Sequence, residues 1–110
     1  MSTIEEPTLA RPWRPEDGPP PKVWTWPKND RPSLWVWSAG KWRHAPVVAR
    51  QDWADGTVRY QVECDLRGDT TVVFRTYAWP QPGLRAGLPS GSEPSMDVVE
   101  GRAGEMPRRV

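Results

Sequence analysis

Val58-Arg59-Tyr60-Gln61-Val62-Glu63-Cys64-Asp65-Leu66 decides the fold class. Its apolar side chains alternate with polar ones, the period of two that marks a half-buried strand. Arg67-Gly68-Asp69 then supplies a turn, and residues 70 to 77, rich in β-branched and aromatic side chains, return as the second limb of a hairpin. Upstream, residues 34 to 39 and 42 to 50 read as two further strands around a turn at Gly40-Lys41, and Asp55-Gly56 marks a tight turn into the Val58 strand. Pro46 cannot donate to a ladder, so a bulge or an exposed edge is expected there. Trp79-Pro80-Gln81-Pro82-Gly83 reads as a turn ahead of a very short strand at Leu84-Arg85. Short strands, tight turns and no helical period predict an all-β meander. At this size it is expected to curl into a small five-stranded barrel that limits its open edges.

The chain has 110 residues, with 8 Trp, 14 Pro, a single Cys and a net charge of +1. That length allows one domain. One cysteine excludes an internal disulfide framework, and one cysteine with one histidine cannot cage zinc, so neither metal nor cofactor is expected. Residues 1 to 20 carry acids where a signal peptide needs positive charge, and no stretch approaches the ~20 apolar residues of a membrane helix. The expectation is a cytoplasmic protein with no membrane partner. Proline and glycine divide the chain into a disordered Pro-rich arm (1 to 21), a barrel (22 to 86) and a disordered Gly/Pro-rich tail (87 to 110), with at most a helical turn over 96 to 100.

Seven of the eight tryptophans fall between residues 22 and 86. Each can bury ~150–250 Å², so the plainest reading is that large rings compensate for a small core. A sharper reading makes some of them an exposed platform. With Leu34 and Val36 inward, alternation turns Trp35 and Trp37 outward. Residues 23 to 37 also read symmetrically about Asp30/Arg31. Folding back there would set Trp24 opposite Trp37 and Trp26 opposite Trp35, with all four rings on one face. Trp13, in the arm, is the candidate cover for that face or an anchor on another protein.

The runs VWSAGKWRHAPVVAR (36 to 50), VRYQVECDLRGDTTVV (58 to 73) and PGLR (82 to 85) resemble Tudor and related SH3-like barrels. The chain also resembles small proteins of high-GC actinobacteria. The Tudor resemblance implies an SH3-like barrel and an aromatic cage that holds methylated Lys or Arg by cation–π attraction. Trp37 matches one cage position. The others fall near Arg43, Cys64 and Arg67, none of them aromatic, and two arginines would repel a cation.

Catalytic residues are not evident. Cys64 alternates with Val62 and Leu66 and reads as a buried small hydrophobe, His44 as a surface or packing residue, and Asp52, Asp55, Asp65 and Asp69 as turn formers. No phosphate loop or nucleophile elbow appears. Residues 22 to 86 hold ten basic and six acidic side chains, a net of +4. The expected function is therefore a non-catalytic binding or adaptor module acting through protein contacts. Trp24, Trp26, Trp35 and Trp37 would form its apolar face, and Lys41 and Arg43 its polar rim. The alternative is a nucleic-acid-binding accessory protein stacking bases on the same face. A third reading, a homodimer through that face, needs no outside ligand.

Overall fold

The computed structural model describes residues 3–98. The chain is all-β, with strands β1 (Lys22–Thr25), β2 (Ser33–Ser38), β3 (Lys41–Asp52), β4 (Val58–Cys64), β5 (Val73–Trp79), β6 (Leu84–Ala86) and β7 (Ser95–Val98). One 3-10 turn, Pro15–Asp17, precedes them. The count is seven strands against the five expected, and the sheet is open. Its order is β5-β4-β3-β1-β7, with β2 paired to β3 and β6 paired to β2. Every pairing is antiparallel.

β3 organises the molecule. Its first half, Lys41 to Pro46, pairs with β2, and its second half pairs with β4 and, at Arg50 to Asp52, with β1. The register slips between Val47 and Ala49, two residues beyond the Pro46 that signals trouble for the ladder. A bulge bends a strand and exchanges its faces. Val47 lies opposite Val62 before the slip, whereas Arg50 and Asp52 take that side after it, opposite Tyr60 and Val58.

β4 carries the alternation read from the sequence. Val62 and Cys64 are buried and join Leu34, Val36, Ala45, Val47, Tyr77 and Leu84 in the core, with Trp26, Tyr60, Leu66 and Trp79 packed against them. The turn after β4 is built on Asp65, whose carboxylate accepts the backbone N–H groups of Arg67, Gly68, Asp69 and Thr70. Desolvation opposes its ionisation, but these donors outweigh it and hold the carboxyl below its usual range. Asp55 and Asp69 likewise accept bonds within turns. Asp52 does not. It ends β3, accepting the Trp24 indole N–H at 2.9 Å and Arg50 Nε at 2.8 Å.

The expected hairpin over residues 23 to 37 does not form. β1 leaves for β3 and β7, so Trp24 lies opposite Arg50 and Met96, while Trp37 lies opposite Trp42. Parts of the described arm and tail lie against the sheet. Ala10 N–H donates to Thr76 O, Leu9 forms a β-bridge with Tyr77, and Arg59 donates to Arg11 O. On the tail side, Ser92 Oγ and Gly91 N–H donate to the Asp30 carboxylate. Residues 95 to 98 are strand, so the helical turn expected over 96 to 100 is absent there, and its last two residues lie outside the described ones. Composition judges a segment alone, whereas these backbones find partners on sheet edges that would otherwise be unpaired.

Tyr77 gives the core a pH signature. Burial pushes its hydroxyl up to about 12, against ~10 in an unfolded chain. Stability that depends on the neutral phenol is complete below about pH 10 and is lost as pH rises towards 12. Burial also raises the Cys64 thiol, which adds a loss of the same sign. The urea midpoint should therefore fall between about pH 9 and about pH 11.5, and Tyr77→Phe should reduce that fall.

Candidate functional site

Alternation in β2 buries Leu34 and Val36 and turns Trp35 and Trp37 outward, as the sequence implies. A two-residue turn makes the rest of the face. Ala39 and Gly40 both have positive φ, 51° and 78°, the conformation that a tight hairpin of the primed type needs. Ser38 therefore pairs with Lys41, Trp37 with Trp42, and Trp35 with His44. Residues directly opposite on antiparallel strands share a face, so the outward side carries three indoles and an imidazole. Trp35 meets His44 edge-on at 5.5 Å, and Trp37 meets Trp42 edge-on at 5.3 Å. From β6, Arg85 lies opposite Trp35 and sets its guanidinium 4.2 Å from the centre of the Trp42 ring. Trp35 is 39% exposed, and His44 and Arg85 are exposed beside it.

The six residues singled out from the sequence thus separate. Trp35 and Trp37 lie on this platform. Trp24 and Trp26 lie elsewhere, lining a cavity of about 280 Å³ with Arg50, Asp52 and Pro94. Lys41 and Arg43 lie opposite Ser38 and Val36, on the side of the sheet away from the indoles. Arg43 is spent on the turn: its Nε donates to Ser38 O and its Nη2 to Ala39 O, and its guanidinium packs on Gly68. Arg85, not Lys41 or Arg43, is the cation of the face. The turn expected at Gly40-Lys41 is centred one residue earlier, at Ala39-Gly40, and that shift is what puts Trp42 and His44 opposite Trp37 and Trp35. The sequence marks Leu84-Arg85 as a very short strand, but the pairing with β2 that brings Arg85 beside Trp35 is long-range.

Trp13 does not cover the platform. It is half-buried near Gln51, Phe74 and Thr76, on the far side of the β3–β4–β5 sheet. The positions matched to a methyl-lysine cage do not assemble one. Cys64 is in the core, Arg43 faces Gly68, and Arg67 lines a cavity of about 540 Å³ with Arg75, Glu6 and Asp69. Cys64 and His44 sit on opposite sides of the sheet, so they form no dyad. Among the described residues no group of three or more His, Cys, Asp or Glu side chains is placed to hold a metal ion, and no helix is long and apolar enough to cross a membrane. Comparison of the chain with family models, with curated proteins and with solved structures finds no match.

Proposed function

We propose that the chain is a non-catalytic binding or adaptor module, working in the cytoplasm, whose partner is a protein seated on the Trp35 face. The observation that carries this reading is the exposed Trp35, set among Trp37, Trp42 and His44 with Arg85 alongside. Trp and Arg are the residues that dominate protein–protein contacts. In this reading the series β6-β2-β3-β4-β5 is an SH3-like core, supported by its meander order and by the pairing of β6 with β2. β1 and β7 are additions to it.

The rings have two roles, and mutation separates them. Trp42 holds both Trp37 and Arg85, so Trp42→Ala should cost ~1–3 kcal/mol from the aromatic pair, the cation–π contact and lost packing. Trp35→Ala gives up one edge contact and should change stability by no more than about 1 kcal/mol. Iodide should quench Trp35 in the folded protein, and partner capture should fail for Trp35→Ala while its fold is retained. Full shielding of Trp35 in the monomer would overturn the platform. A sedimentation mass of two chains that falls to one on Trp35→Ala would make the face a self-interface. Nucleic acid has less support, because Lys41 and Arg43 point away from the rings. A steep fall of RNA affinity with salt would restore it.

A further inference from the structure

A second seam runs from the outer edge of β5 to the β2–β3 turn, where Gly83 O accepts the Trp37 N–H that neighbours the platform. β5 ends the sheet, and its outer edge is filled by the arm. Ala10 N–H donates to Thr76 O at 2.8 Å, and Leu9 bridges Tyr77. Gln81 then acts as a false backbone, its amide oxygen accepting Thr8 N–H at 2.8 Å and its amide nitrogen donating to Thr8 O at 3.0 Å. Further along, the arm passes Gly83 so closely that a Cβ there would lie 2.5 Å from Glu5 O and 2.8 Å from Pro7 Cδ. Glu6 reaches the β2–β3 turn, where its carboxylate accepts Ala39 N–H at 3.0 Å. Residues 5 to 10 therefore lie as a bound peptide lies: main chain on a sheet edge, a proline against a glycine, a carboxylate on a turn amide.

Two features say that this occupant is exchangeable. Its hold is modest, since it consists of a few hydrogen bonds worth ~0.5–1.5 kcal/mol each, and Leu9 remains 56% exposed. It also leaves room. Beside Glu6 is the cavity of about 540 Å³, lined by Arg67, Arg75 and Asp69, where the two arginines make no ion pair among the described residues and outnumber the one carboxylate once Glu6 is displaced. A peptide with more negative charge at this point would gain contacts that the arm does not make.

We propose that the seam from β5 to Gly83 is a recognition groove for an extended acidic peptide of another protein, with a carboxylate, proline and apolar residue spaced as Glu6, Pro7 and Leu9, and that the arm is its resident inhibitor. β-strand addition supplies affinity through main-chain bonds, and the Ala39 amide with the Arg67 and Arg75 guanidiniums supplies selection for acid. The cis arm lowers apparent affinity by the fraction of time it is docked.

The test uses the 110-residue chain and a fluorescein-labelled peptide copying residues 3 to 14, followed by anisotropy. Thr8→Pro with Ala10→Pro removes two arm N–H donors and leaves the groove intact. That variant should bind the peptide at least about tenfold more tightly than the natural chain. Binding should strengthen again when the peptide carries glutamate in place of its Ile4, and Arg67→Ser with Arg75→Ser should cancel that second gain. Adding Gly83→Val should remove binding. Absence of saturable binding to the folded double-proline variant, or binding unaffected by Gly83→Val, would overturn the proposal. If the double variant does not fold, hydrogen exchange at the Ala10 amide of the natural chain decides. Saturating peptide should cut its protection about tenfold, and unchanged protection rejects the groove. A concentration-dependent dimer that protects Ala10 would assign the groove to a second copy's arm and also overturn the foreign occupant.

Discussion

Val62→Asp is expected to abolish the folded state, whereas Phe74→Thr should shift stability by less than about 1 kcal/mol. Both positions are apolar and both lie in the central hairpin, and hydropathy does not separate them. Val62 has no exposed surface and lies between Val47 on β3 and Arg75 on β5. A carboxylate there loses its hydration, and the cost of burying such a group is several kcal/mol even after the structure relaxes. A domain of this size draws on a total of only ~5–15 kcal/mol. Arg75 is its cross-strand neighbour and could pair with one oxygen, so charge alone is not the issue. Val62→Asn, which offers no charge to Arg75, should fail too, because Arg75 can donate to its amide oxygen but accepts nothing from its amide nitrogen, whose donors are left buried. Phe74 lies opposite Glu63 on the other face and is 56% exposed. Far-UV circular dichroism with a urea titration of the three variants checks the contrast. A folded Val62→Asp protein with near-native midpoint would mean that the core does not run through β4.

The alternation that sets these two apart was readable because it is local. In β4 and β2 the side chains that face the core are defined by parity within a few residues, and parity needs no partner. The position of β1 depends on more. Four tryptophans spaced symmetrically about Asp30/Arg31 satisfy a hairpin as well as they satisfy two separate pairings, and an aromatic cross-strand pair contributes only ~0.2–1 kcal/mol. What decides is the edge of β3, which β2 leaves at Pro46 and β1 takes up at Arg50. The slip between Val47 and Ala49 also moves Arg50 and Asp52 to the side where Trp24 can bond Asp52. Pro46 hints at such a slip, but its place follows from pairing at long range. The platform shows the same division. Trp35 and Trp37 follow from parity, Trp42 and His44 from the turn at Ala39-Gly40, and Arg85 from a three-residue strand that exists only through β2.

Glycine at the end of that short strand carries the second large effect. Gly87→Val is expected to destabilise the protein by ~2–4 kcal/mol, from overpacking together with lost hydrogen bonds. As sequence, Gly87 opens a Gly/Pro-rich tail and reads as a breaker. In the structure it is a place of close approach: a Cβ there would lie 2.5 Å from Ser33 Oγ and 2.7 Å from Ser33 O. Those atoms cannot yield independently. Gly87 N–H donates to Ser33 O, Ser33 N–H donates to Leu88 O, and Leu88 N–H donates to Ser33 Oγ. Ser33 is buried at the start of β2, next in chain to Leu34 in the core. Pushing residue 87 away therefore breaks a three-bond clasp and loosens β6 from β2 together with Leu84, which the core needs, and Arg85, which the platform needs. Gly91→Val is the control, since a Cβ there meets only Asp30 Oδ2 at an ordinary 3.5 Å, and it should cost less than about 1 kcal/mol. Thermal melts of both variants, with iodide quenching of Trp35, separate the outcomes. Gly87→Val should melt lower and alter the exposure of the face, and equal melting of the two variants would mean that the clasp does not hold β6 in place.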